Sequence, residues 1–208
     1  KVCHYLDLPI QHANDEILRR MGRRTSKQEL IDKIDFLRSE MPDITLRTTL
    51  ITGFPGETKE QHKELLEFIC GFPGETKEMH EELMQFINDM EFDRLGAFTY
   101  SPEEGTPAAA MEHQIDEEVK LDRQAELMEL QQDISAELGE RRIGQELLVM
   151  IEGKVADEDA YVGRSQADAP GVDGYVFVNT PETLVSGDFV RVKITGALEY
   201  DLIGEISQ

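Results

Sequence analysis

Cysteine is scarce in this chain, with Cys3 and Cys70 the only two among 208 residues. Two isolated thiols make neither a disulfide framework nor a clustered metal site, so they are expected to be buried or idle. Long apolar runs are also missing. No stretch approaches eighteen consecutive apolar residues, and no charged-then-apolar leader opens the chain, which predicts a cytoplasmic protein without a membrane span or secretory signal. Basic side chains are heavily outnumbered, 21 Lys and Arg against 43 Asp and Glu, for a formal net charge of −22. Lys and Arg make the phosphate contacts that dominate nucleic-acid affinity, so this balance argues against a general DNA or RNA binder. Two readings stay open: a solvated acidic surface that maintains solubility, and steering toward a basic protein partner.

What is present is enough for a core, since 39% of the residues are hydrophobic. Val2 to Ile10 carries a short strand pattern ended by Pro9. Asn14 or Asp15 then caps a helix reaching about Met21. Ser26 with Glu29 three residues later forms a capping box for a second helix over Leu30, Ile34 and Leu37. The β-branched run Thr45 to Thr52 predicts a strand, and Phe92 to Tyr100 another. Strand, turn, helix, strand is the grammar of a βα-repeated sheet or barrel. Apolar residues at Leu127, Leu130, Ile134 and Leu138 predict a long amphipathic helix closed by Gly139. From Gly144 onward the pattern changes to five short strands, ELLVMIE, AYVGRS, GYVFV, FVRVKIT and EYDLIGEI, predicting a small OB-like barrel. The fold class is therefore α/β with an appended antiparallel β-barrel, and the boundary is expected near residue 142.

One stretch is said twice. Residues 53 to 70, GFPGETKEQHKELLEFIC, are followed at once by GFPGETKEMHEELMQFIN, and thirteen of the eighteen aligned positions are identical. Two adjacent units do not make a solenoid. Only one strand precedes the pair, and Pro73 with its flanking glycines forbids one continuous helix through the junction. The first copy, fused to Thr45 to Thr52, is expected to keep the turn at the strand end. The second is expected to be a displaced or partly disordered excursion, with Gly71 to Gly74 touching no cofactor. On this reading, deleting either copy leaves the melting temperature unchanged or higher.

The runs YLDLPIQHANDEILRRMGRR, LRTTLITGFPGET, FDRLGAFTYSPEEGTPAA, GRSQADAPGVDGYVFV and ALEYDLIGE resemble the radical-SAM methylthiotransferases. Within that family the resemblance is to the branch that modifies the β-carbon of an aspartate in small ribosomal subunit protein twelve. It covers the chain apart from one repeat copy, and its last two motifs are specific to that branch. It implies residues 1–142 as the carboxyl-terminal part of a radical-SAM, TIM-like βα barrel and 143–208 as a TRAM domain. It also implies S-adenosylmethionine and two 4Fe-4S clusters as cofactors. The family's CxxxCxxC motif is absent, and two distant cysteines cannot supply clustered thiolates. The chain is thus expected to be an enzyme fragment that is inactive alone and holds no metal.

Strand-end loops build the active site of a βα barrel. The resemblance assigns cofactor binding there to Gln11, His12, Gly53, Phe54, Pro55, Gly56 and Tyr100, with Glu57 and the Tyr100 to Glu104 loop beside them. A histidine such as His12 is otherwise a polar loop residue bonded to backbone. His62 and His80, at matching places in the two copies, are expected at the surface. Arg19, Arg20, Arg23 and Arg24 form either a solvated helix end or a carboxylate contact. From residue 143 onward four basic residues face twelve acidic ones. That favours docking onto a basic ribosomal protein over the family's transfer-RNA adenosine branch. A barrel that only caps the catalytic domain, and a module that binds the ribosomal protein without catalysis, remain as alternatives.

Overall fold

The computed structural model describes residues 3–10, 12–49, 73–102, 104–106 and 109–207. The chain divides into two compact units, Leu6–Gln131, and Gln132–Gln208 together with Lys1–Tyr5.

The first unit is built on β1 (Tyr5–Asp7), α1 (Asp15–Arg20), α2 (Lys27–Glu40), β2 (Thr45–Thr49), α3 (Lys77–Met90) and β3 (Arg94–Gly96), followed by the start of α4 (Glu117–Glu140). The strands form a sheet in the order β1-β2-β3. β2 and β3 run parallel, with Arg47 opposite Arg94 and Thr49 opposite Gly96. The helix starts follow the expected chemistry. Asn14 Oδ1 accepts from the amides of Glu16 and Ile17 at 3.0 and 3.2 Å, and the Ser26–Glu29 capping box closes in both directions. The strands are shorter than expected. Pro9, with no amide hydrogen, stops β1. Around β3, the carbonyls of Phe92 and Ala97 instead accept the side-chain amides of Gln131 and Gln124, at 2.8 and 2.6 Å.

The expectation for the repeat is corrected on its second copy. Parallel neighbours need a crossover, and among the described residues between β2 and β3 the crossover helix is α3, whose residues 77–88 belong to the second copy. Thr76 caps it, and its inner face buries His80, Leu83, Phe86, Ile87 and Met90. The turn ahead of it is held too: the Gly74 amide donates to the His113 carbonyl at 2.9 Å, and Arg20 reaches the Pro73 carbonyl at 3.4 Å. The second copy is therefore an integral layer and not an excursion. The physical reason lies downstream: Glu91, left-handed at φ 41°, caps α3 and delivers the chain into β3 within three residues. The first copy, residues 53–70, lies outside the described residues.

The second unit is a closed barrel of β4 (Glu146–Lys154), β5 (Ala160–Arg164), β6 (Val176–Asn179), β7 (Phe189–Ala197) and β8 (Leu202–Ile206), in the order β4-β5-β6-β8-β7. Alternation puts Val149 and Ile151 of β4, Val176 and Val178 of β6, and Val192 and Ile194 of β7 into one core. Four seams are antiparallel, as expected. The fifth, β6 with β8, is parallel. Closing a ring of five strands cannot alternate direction at every seam, so one parallel pair is forced. Gly139 does not end α4, which runs on to Glu140. It serves close packing instead, since a Cβ there would stand 3.0 Å from the Cβ of Ala197. Among the described residues no helix is long and apolar enough to cross a membrane. Cys3 is exposed, not buried.

Candidate functional site

Burial in the first unit selects an unexpected set of polar side chains. His12, Glu75, His80, Lys120, Arg123 and Gln131 are all buried. Three of them lie on α4, where the expected apolar stripe is in fact mixed: Lys120, Arg123, Leu127, Gln131 and Ile134 face inward, while Leu130 and Leu138 are only half-buried. A charge is buried in this way only when it is paired.

The pairing is centred on Glu75, whose side chain is wholly inaccessible. Its Oε1 lies 3.2 Å from Arg123 Nη1 and 3.6 Å from His80 Nδ1. Arg123 Nη1 also meets the Glu75 carbonyl at 3.3 Å. The far nitrogen of His80, Nε2, lies 2.9 Å from Oε2 of Glu126, a carboxylate that is 60% exposed. His80 is thus buried between two acids, which corrects the surface position expected for it. Its counterpart His62 lies outside the described residues.

His12 follows β1, and its ring is fully buried. The Asn14 amide donates to Nδ1 at 2.9 Å, so the ring proton of the neutral form sits on Nε2. Nε2 is buried and, among the described residues, has no hydrogen-bond partner. Burial, opposed by the Glu75 carboxylate, lowers the His12 pKa from 6.5 to about 4. The geometry therefore makes His12 a neutral hydrogen-bond donor at physiological pH. Between pH 6.5 and 4 the unfolded chain takes up a proton that the folded chain refuses. Stability is accordingly full above 6.5 and lost as pH falls through that window, by about 3 kcal/mol in all. Urea unfolding from pH 7 to pH 4 should show this loss in the native chain and not in His12→Asn.

Tyr100 is buried against Ile17 and Met21. Lys120 Nζ lies 5.4 Å over its ring and donates to its carbonyl at 2.8 Å and to Glu117 at 2.9 Å. The ammonium thereby holds Tyr100 in the segment that follows β3. Glu82 ties the neighbourhood together, accepting from Asn14 Nδ2 at 2.6 Å and Lys27 Nζ at 3.2 Å. Burial pushes its carboxyl up, but those two bonds outweigh it and the net shift is downward. Arg19 and Arg20 pair with Glu16 on their own helix, in keeping with a helix-end role.

Of the residues expected to bind cofactor, His12 and Tyr100 are described, and both are buried in the first unit. Gln11 and Gly53, Phe54, Pro55 and Gly56 lie outside the described residues. Glu75, Lys120 and Arg123 were missed. A signal existed: 120, 123, 127, 131 and 134 keep the helical period once polar residues are admitted to the stripe. Among the described residues no group of three or more His, Cys, Asp or Glu could hold a metal ion.

The family model of the Radical SAM superfamily matches residues 1–69, and that of the TRAM domain matches residues 143–206. A curated relative named ribosomal protein uS12 methylthiotransferase RimO, from Lachnoclostridium phytofermentans, is 54% identical over 98% of this chain and 42% of its own length. Relatives of the same name from Desulfitobacterium hafniense and Clostridioides difficile are 50% and 44% identical over 100% and 99% of this chain, and again 42% of their own length. The chain thus spans about two-fifths of the curated relatives it matches. With a parallel βα layer, a closed five-stranded barrel, both domain models in order and this identity along nearly every residue, the chain belongs to the radical-SAM methylthiotransferase family.

Proposed function

We propose that this chain is part of a RimO-type cytoplasmic enzyme that methylthiolates the β-carbon of an aspartate in ribosomal protein uS12. The observation that carries the reading is identity of 44 to 54% with RimO relatives along at least 98% of the chain. Residues 1–142 are assigned to the radical-SAM part and 143–208 to the TRAM domain. When bound, S-adenosylmethionine supplies the radical precursor and the methyl group. The buried, unpartnered Nε2–H of His12 fits an acceptor atom of such a ligand, because an unmet buried donor costs about 1–3 kcal/mol until something accepts from it. Tyr100, held by Lys120, closes the same unit. Gln11 and Gly53 to Gly56 are assigned to the cofactor by family resemblance. A three-cysteine cluster site does not fit these 208 residues, which hold two cysteines.

The partner reading rests on charge. Residues 143–208 carry four basic and twelve acidic side chains, a surface that attracts an Arg/Lys-rich protein and repels phosphate. The test is a chimera in which this chain replaces the matching segment of the Lachnoclostridium phytofermentans relative. Incubated with uS12 and with transfer RNA, it should add the mass of one methylthio group to the protein alone. Modification of transfer-RNA adenosine in place of uS12 would reject the proposal.

A further inference from the structure

Two sequence stretches twenty-odd residues apart, SQADAPGVDGY and ALEYD, meet at one end of the barrel. The Tyr175 amide donates to Asp201 Oδ1 at 2.7 Å, the Leu202 amide to the Tyr175 carbonyl at 2.9 Å, and the Leu198 amide to the Asp201 carbonyl at 2.8 Å. Gly174 is required at this crossing, because a Cβ would collide with the Tyr200 carbonyl oxygen. The longer loop is also braced internally. Asp168 accepts from the amide and hydroxyl of Ser165 at 2.9 and 2.8 Å. Asp173 accepts from the Ala169 amide at 2.8 Å.

Such bracing would ordinarily serve to bury something, yet the loops expose their large apolar residues. Val172 is 59% exposed, Leu198 51%, Tyr200 39% and Tyr175 38%. Around them, residues 165–175 and 197–206 carry Asp168, Asp173, Glu199, Asp201 and Glu205 and not one Lys or Arg. Apolar anchors on a preorganised acidic frame match a partner with cations around an apolar side chain. A polyphosphate would meet only repulsion here.

We infer that Val172, Tyr175, Leu198 and Tyr200 form a docking surface for a basic polypeptide segment that inserts an apolar side chain among them. The inference rests on the proposed action on uS12 and names the surface that receives it. Binding of recombinant uS12 to the full 208-residue chain, followed by fluorescence anisotropy at low and high salt, tests it. Leu198→Ala with Tyr200→Ala should weaken binding about tenfold or more, as loss of a central anchor does. Glu199→Lys should weaken it about threefold and flatten its salt dependence, as loss of a rim charge does. Leu148→Ala with Phe189→Ala, equally exposed apolar residues on β4 and β7, should leave it within about twofold, the range of a residue outside the contact. If the native chain binds uS12 and both surface variants bind as it does, the docking surface is wrong while the proposed function stands. If the native chain binds no uS12, the partner reading falls and this inference with it. Transfer RNA competing with uS12 for the native chain, and failing to bind the surface variants, would also overturn it.

Discussion

Replacing Arg123 with alanine should destabilise the Leu6–Gln131 unit by about 3 kcal/mol, at the lower end of the usual cost of removing one partner of a buried ion pair. Glu75 has no accessible side-chain surface, so water cannot take the place of the guanidinium 3.2 Å away. His80 Nδ1 remains 3.6 Å from the same oxygen, which is why the lower end applies. The same substitution removes the donor to the Glu75 carbonyl, immediately ahead of the α3 cap Thr76. Glu75→Gln alone should cost less, because it removes the charge whose burial is expensive and keeps an acceptor for Arg123. In a double-mutant cycle followed by urea unfolding, the coupling should exceed about 1 kcal/mol, as expected for residues in direct contact. An Arg123→Ala cost below that figure would show that the buried pair does not hold α3 to α4.

The contrast between these side chains and the ones read correctly from sequence has a physical basis. Asn14, Ser26 and Glu29 act on their own neighbours within three residues, so the local string contains the whole interaction. The barrel was legible because alternation along β4 and β7 needs only the distinction between inside and outside. Even its parallel seam follows from the number five. Glu75 and Arg123 are partners 48 residues apart, and each looks like an ordinary surface charge until the other is placed. His80 looked exposed for the same reason: neither Glu75 nor Glu126 marks it as buried until α3 and α4 are packed. Of the expected site, His12 could be singled out as a residue type at a strand end. Its fixed tautomer depends on one backbone amide that no pattern announces.

The repeat yields the largest expected effect. Deleting residues 53–88, both copies, should abolish the β2–β3 pairing, whereas deleting either copy alone should not. With both gone, eight residues remain between Thr49 and Arg94, fewer than the dozen or more a parallel crossover needs. Burial of Leu83, Phe86 and Ile87 is lost as well. At about 1.5–3 kcal/mol per side chain, that loss is comparable to the whole stability of a typical domain. With 53–70 deleted, Pro73 to Met90 keeps every contact described for it, so stability should be unchanged or higher. With 71–88 deleted, the first copy supplies the same residue at these buried positions in and just ahead of α3, with Glu57, His62, Leu65, Phe68 and Ile69 standing for Glu75, His80, Leu83, Phe86 and Ile87. Of the five differing positions, Glu81, Gln85 and Asn88 are exposed and Met84 becomes Leu66, a volume-conserving change. The remaining one is Met79, packed against Ile17, Met21 and Tyr100, which becomes Gln61. That exchange should cost about 1 kcal/mol, the value of partly burying one such side chain. The order of stability is therefore deletion of 53–70 first, deletion of 71–88 slightly below it, and no folded first unit when both are removed. Hydrogen exchange at the β2 and β3 amides reads all three. Protection surviving the double deletion, or lost on removing 53–70 alone, would mean that α3 is not the crossover.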